Sequence, residues 1–112
     1  MSGKKLASPE TLLLIRKLAA DPGRARVFGT AKYDLMGSRL TKADVCNVIC
    51  EWIDAGKPLM ETVIHTIPEL VGEPAYELKP TILDEVYYVK VTIQNDPGSG
   101  EMLLILSAHP DH

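Results

Sequence analysis

Between Glu85 and His109 the chain carries two long strand-forming runs separated by the turn residues Asn95-Asp96-Pro97-Gly98-Ser99-Gly100. Few arrangements other than a β-hairpin accommodate that pattern. The first run alternates as a pleated strand requires. Tyr87, Val89, Val91 and Ile93 point to one face, and Tyr88, Lys90, Thr92 and Gln94 to the other. The second run, Met102 to Leu106, is apolar on both faces until Ser107, which predicts a central strand. His109 stands at its exit. A face carrying tyrosine and lysine beside a strand that ends in histidine can hold acid–base chemistry, and it can equally be a half-solvated sheet face.

With 112 residues the chain is expected to be a single domain over 1–112, with 1–7 as a flexible tail and one hydrophobic core. No apolar run approaches the roughly 20 residues of a membrane helix. The start, Met1-Ser2-Gly3-Lys4-Lys5, lacks the apolar stretch of a secretion signal, so the expected location is cytoplasmic. Cys46 and Cys50 lie four apart in a helical pattern and are expected to stay reduced. His65, His109 and His112 share no metal-ligand spacing with them, so no metal and no cofactor are expected.

The pattern before the hairpin is helical, then extended. Ser8 and Pro9 open a helix whose apolar stripe is Leu12, Leu13, Ile15, Leu18 and Ala19, and Asp21-Pro22-Gly23 stops it. Arg24–Phe28 is a short extended segment. Thr30 precedes a brief helix over Ala31–Met36, and Thr41 with Asp44 forms a capping box for the next. In that helix Val45, Val48, Ile49, Trp52 and Ile53 form the expected buried stripe. Leu59–Ile67 and Ala75–Leu78 are predicted strands, with a loop over 68–74 and a turn over 79–84. The expected fold is therefore α+β, with N-terminal helices packed on a C-terminal antiparallel sheet of three to four strands. Leu12, Ile15, Val48, Trp52, Val89, Val91, Leu104 and Leu106 are expected to share one core.

Charge is unevenly distributed. Residues 1–42 hold nine of the twelve basic and three of the fifteen acidic residues, a balance of +6, leaving −9 for residues 43–112. Either the basic half meets an anionic partner, or the two halves attract each other within the fold.

Taken in order, the segments resemble the MqsR family of toxins from bacterial toxin–antitoxin pairs. The resemblance rests on the basic first helix, Cys46-Asn47-Val48-Ile49, His65-Thr66-Ile67, Tyr76 before Lys79-Pro80, Tyr88-Val89-Lys90, and the closing Leu106-Ser107-Ala108-His109. It spans roughly residues 8 to 109. It implies a RelE-like fold, endoribonuclease (mRNA interferase) activity and a neutralising antitoxin protein as partner. It implies no membrane association and no DNA binding by the chain alone. The family's sheet tyrosine matches Tyr88. Its closing lysine meets His109, an imidazole able to donate or accept a proton near neutral pH. Its lysine after the central helix corresponds to Lys57, with Glu61 as the other register. Its glutamine before the residue matching Tyr76 meets Glu73.

Cleavage of this type uses the RNA 2′-hydroxyl as nucleophile. It needs a base, an acid and cations for the phosphate, and no metal. On the resemblance, Tyr88, His109, Lys57 and Glu73 are the candidate catalytic residues. Arg24, Arg26 and Lys90 are the candidate RNA contacts, with Lys32 and Arg39 adding to the field. The acidic C-terminal half opposes RNA binding. The alternative is a non-catalytic RelE-like module that binds or regulates a protein. Convergence of Tyr88, His109 and the basic half on one concave surface favours the enzyme. Separation of Lys57 from His109 on an acidic face favours the binding module.

Overall fold

A computed structural model describes residues 5–111. The helices form where the capping residues dictate. Helix α1, Pro9–Ala19, starts at Ser8, whose hydroxyl accepts the Thr11 N–H at 3.2 Å. Helix α2 is Ala31–Met36. Helix α3, Lys42–Asp54, opens with the reciprocal capping box. The Asp44 N–H reaches Thr41 Oγ1 at 3.1 Å, and the Thr41 N–H reaches Asp44 Oδ2 at 2.9 Å. Two orphan donors of the first turn are thereby satisfied.

Seven strands follow the chain: β1 Lys5–Leu6, β2 Ala25–Val27, β3 Met60–Val63, β4 Pro74–Leu78, β5 Thr81–Ile82, β6 Glu85–Asp96 and β7 Gly100–Pro110. They form one sheet in the order β1-β3-β4-β6-β7-β2, and β5 continues the line of β4 along β6. The fold is α+β. Three to four antiparallel strands were expected, and the sheet is larger because three very short strands join its margins. It is also not wholly antiparallel, since β2 runs parallel to β7. The expected tail over 1–7 does not extend through residues 5–7. Lys5 and Leu6 pair with Glu61 and Met60, and the buried Ala7 donates its N–H to the Leu59 carbonyl at 2.9 Å. Residues 1–4 lie outside the described residues.

The sheet has two unlike faces. Helices α1 and α3 cover one of them. Ile15, Leu18, Val45, Cys46 and Ile49 pack there on Tyr87, Val89, Val91, Leu103 and Ile105. Leu104 and Leu106 were expected in this core but belong to a second cluster on the reverse face, with Ile64, Leu70 and Ala75. Strand alternation requires this, because Leu103 and Ile105 already fill the helix side. The buried side of α3 is centred on Val45, Cys46, Ile49 and Cys50, while Val48, Trp52 and Ile53 pack at its margin. Both cysteines are free. No helix of the described residues is long and apolar enough to cross a membrane.

Candidate functional site

A single irregularity in β7 determines which side chains meet on the reverse face. Gln94 pairs with Met102, and the ladder continues to Val91 opposite Ile105. There it shifts: Lys90 faces Ser107, leaving Leu106 as the extra residue of a β-bulge. Without that residue, uninterrupted alternation would put Ala108 opposite Tyr88 and turn His109 toward the helices. With it, Ala108 enters the core opposite Val89, and His109 stands directly opposite Tyr88. The two rings lie with centroids 5.4 Å apart and planes tilted by 38°. Counting outward from the turn predicts Ser107 opposite Tyr88 and His109 as a diagonal neighbour. The true offset is two residues, one from the turn and one from the bulge, so His109 keeps the expected face.

The Tyr88 hydroxyl donates a hydrogen bond to Glu77 Oε2. Glu77 sits on β4, opposite Lys90, and is only 8% exposed. Burial first, then the bond to Glu77, then the negative charges of Glu77 and Asp111, hold the Tyr88 phenol well above the ordinary tyrosine value. It is therefore a neutral hydroxyl at physiological pH and no proton acceptor. His109 Nδ1 lies 2.9 Å from the Pro110 carbonyl oxygen. A carbonyl only accepts, so Nδ1 carries the proton and Nε2 holds the lone pair of the neutral ring. His109 is exposed and Lys90 half-buried. The chemistry available here is thus an accessible imidazole, a neutral phenol fixed by a buried carboxylate, and an ammonium two residues along the same strand face.

The structure brings Tyr88, His109 and Lys90 together and sets the other candidates apart. Lys57 lies over the Trp52 ring, its amine 4.8 Å from the centroid, and Trp52 packs on the helix side of the sheet. That is the face opposite His109. Glu73 precedes β4, at the far end of that strand from the level of Tyr88. The spacing is about 20 Å at ~3.3 Å per residue. Arg24 and Arg26 are at the hairpin tip. Arg24 Nη1 donates to the Ser99 carbonyl at 2.5 Å, and Arg26 pairs with Asp96 at 3.9 Å. Eight residues of β6 separate that tip from Tyr88, about 26 Å. The reason is electrostatic and topological. Strand β2 and the turn before it lie beside the acidic hairpin, so Arg26 pairs with Asp96 there and Arg24 donates to a hairpin carbonyl.

Glu77, and not the Glu73 that motif order suggests, is the carboxylate that the Tyr88 hydroxyl reaches. Its signal is present in Pro74-Ala75-Tyr76-Glu77-Leu78, where Tyr76 and Leu78 face the helices and the lone carboxylate is left on the other side. Among the described residues no group of three or more His, Cys, Asp or Glu side chains is placed to hold a metal ion. No family model matches the chain, and no curated protein or solved structure shows significant similarity to it.

Proposed function

We propose that this chain is a metal-independent endoribonuclease of the toxin type, acting on single-stranded mRNA in the cytoplasm and held in check by an antitoxin protein. The observation that carries the reading is the direct cross-strand pairing of Tyr88 and His109 on β6 and β7, with Lys90 next along the strand face. In this scheme His109 Nε2 removes the 2′-hydroxyl proton as that oxygen attacks the neighbouring phosphorus. The bond to the 5′-oxygen breaks, giving a 2′,3′-cyclic phosphate and a 5′-hydroxyl protonated from solvent. Lys90 neutralises charge on the phosphate oxygens. Tyr88, held by Glu77, is a positioning residue that sets the plane of the imidazole.

The separation of Lys57, Arg24 and Arg26 from this face favours a second reading, a protein-binding module of the same architecture. The two are distinguished by incubating purified protein with single-stranded RNA in chelator. The nuclease reading expects cleavage that His109→Ala reduces by about 10²–10⁴-fold. The fold should hold, because an exposed strand-end histidine contributes about 0.5 kcal/mol or less. Equal cleavage by the variant eliminates the mechanism. No cleavage by the parent protein, together with tight binding to a protein partner, selects the binding module.

A further inference from the structure

We propose that the cleft beside Lys90 is a base-selecting pocket, which holds one nucleobase of the RNA next to the phosphate on the Tyr88–His109 face; this rests on the ribonuclease reading above. The cleft has a volume of about 430 Å³ and lies between the segment leading into α2 and the turn over residues 66–69. Phe28, Ile67 and Leu106 give it apolar walls, and Thr66 and Glu69 add polar groups. Such a mixture suits a planar heterocycle with a hydrogen-bonding edge. Apart from Lys90, at the end nearest His109, the lining is hydrocarbon, hydroxyl and the Glu69 carboxylate, which suits a base better than a second phosphate.

Continuity with the catalytic face decides the occupant. Lys90 and Ser107 line the cleft, and they are a cross-strand pair; the next pair on the same face is Tyr88 and His109. A chain whose phosphate lies between Lys90 and His109 therefore has a neighbouring base within reach of the pocket. The bulge residue Leu106 that turns His109 onto Tyr88 is also a wall of the cleft. One backbone irregularity thus builds both the catalytic pair and the pocket. The Glu69 segment is anchored, since Leu70 is buried in the reverse-face cluster and its N–H reaches the Ile67 carbonyl at 2.9 Å.

A carboxylate accepts hydrogen bonds and offers none. It favours bases that present amino hydrogens, namely cytosine, guanine and adenine, over uracil, which presents one ring N–H between two carbonyls. Recognition of this kind is about tenfold or more in selectivity. The test maps every cut in a single-stranded RNA of mixed sequence, by end sequencing, for the parent protein and Glu69→Gln. The parent should cut beside amino-bearing bases about tenfold more often than beside uracil. Glu69→Gln, whose amide both donates and accepts, should bring that ratio toward one. An unchanged distribution of cuts overturns the pocket while leaving the nuclease reading intact. If the parent cuts nothing, the ribonuclease reading fails and the pocket is judged by binding alone. Labelled oligonucleotides differing in one base are then titrated against the parent, and equal affinity for all four overturns the proposal.

Discussion

Replacing Tyr88 with phenylalanine removes one hydroxyl and leaves the ring that lies against His109. The hydroxyl donates to a Glu77 carboxylate that is nearly inaccessible to solvent. Hydrogen bonds to charged groups contribute about 1.5–3 kcal/mol. Tyr88 itself is half-exposed, so a loss of about 2 kcal/mol at pH 7 is expected. The pH dependence follows from the raised phenol value, caused by burial, the bond to Glu77 and nearby negative charge. A tyrosine that is harder to ionise in the native state stabilises fully below its unfolded value of about 10. That contribution is lost as pH rises through the higher native value. The parent protein should therefore exceed Tyr88→Phe by a constant margin from pH 7 to 9, and the margin should shrink above about pH 10. Urea unfolding followed by far-ultraviolet circular dichroism across this range measures it. Alkaline absorbance titration should show one late-ionising phenol fewer, with Tyr76, also raised by burial and by Glu61, still present. A difference below about 0.5 kcal/mol, or one that does not shrink above pH 10, refutes the argument.

Two stability measurements test other parts of the fold. Trp52→Ala should cost about 2 kcal/mol, below the roughly 3–5 kcal/mol expected of a fully buried tryptophan, because the ring is half-buried and held by its indole N–H on the Pro58 carbonyl at 3.0 Å; a loss above about 4 kcal/mol in urea unfolding would show that the ring is a central core element. Leu83, at φ 53° and 71% exposed on the β5–β6 turn, gains nothing from burial in that backbone conformation. Leu83→Asn should raise stability by about 1 kcal/mol, and an unchanged or lower melting midpoint counts against backbone strain there.

The local signals were the most legible part of the chain. The Ser8 cap and the Thr41/Asp44 box each depend on residues a few positions apart, and each stands where the pattern places it. The turn expected over 95–100 tightens to residues 97–99, because Asn95 and Asp96 pair with Glu101 and Gly100. The short marginal strands were not legible. Lys5–Leu6 and Thr81–Ile82 are too brief to show a period, and their pairing is decided by the neighbours they meet. The two-faced apolar run of β7 reads as a central strand, but its pattern does not show that the two faces serve different clusters. Its even-numbered leucines serve a second cluster, built with Ile64 and Leu70 from the segment after β3. Counting from the turn predicts Tyr88 and His109 as diagonal neighbours on one face; their direct pairing depends on the tighter turn and on the bulge at Leu106, which cannot be counted from the turn. Lys57 and Glu73 came from matching motif order, which carries no information about which sheet face a residue occupies.

The charge asymmetry has a physical resolution that bears on the site. Lys5–Glu61, Arg16–Asp54 and Arg26–Asp96 each join the basic N-terminal half to the acidic C-terminal half. The exposed pairs contribute little stability individually. Their larger consequence is local neutralisation, because they place cations at the first strand, between α1 and α3, and at the hairpin tip. The positive charge of β2 is thereby spent at the end of the sheet remote from His109. An RNA bound on the Tyr88–His109 face would meet Lys90 beside a buried carboxylate, rather than a broad basic surface. Affinity drawn from counterion release scales with the number of phosphates neutralised. With Lys90 set opposite the Glu77 carboxylate, RNA binding on this face should show a shallow salt dependence, and on the proposal above selectivity would come from base contacts in the cleft beside Lys90.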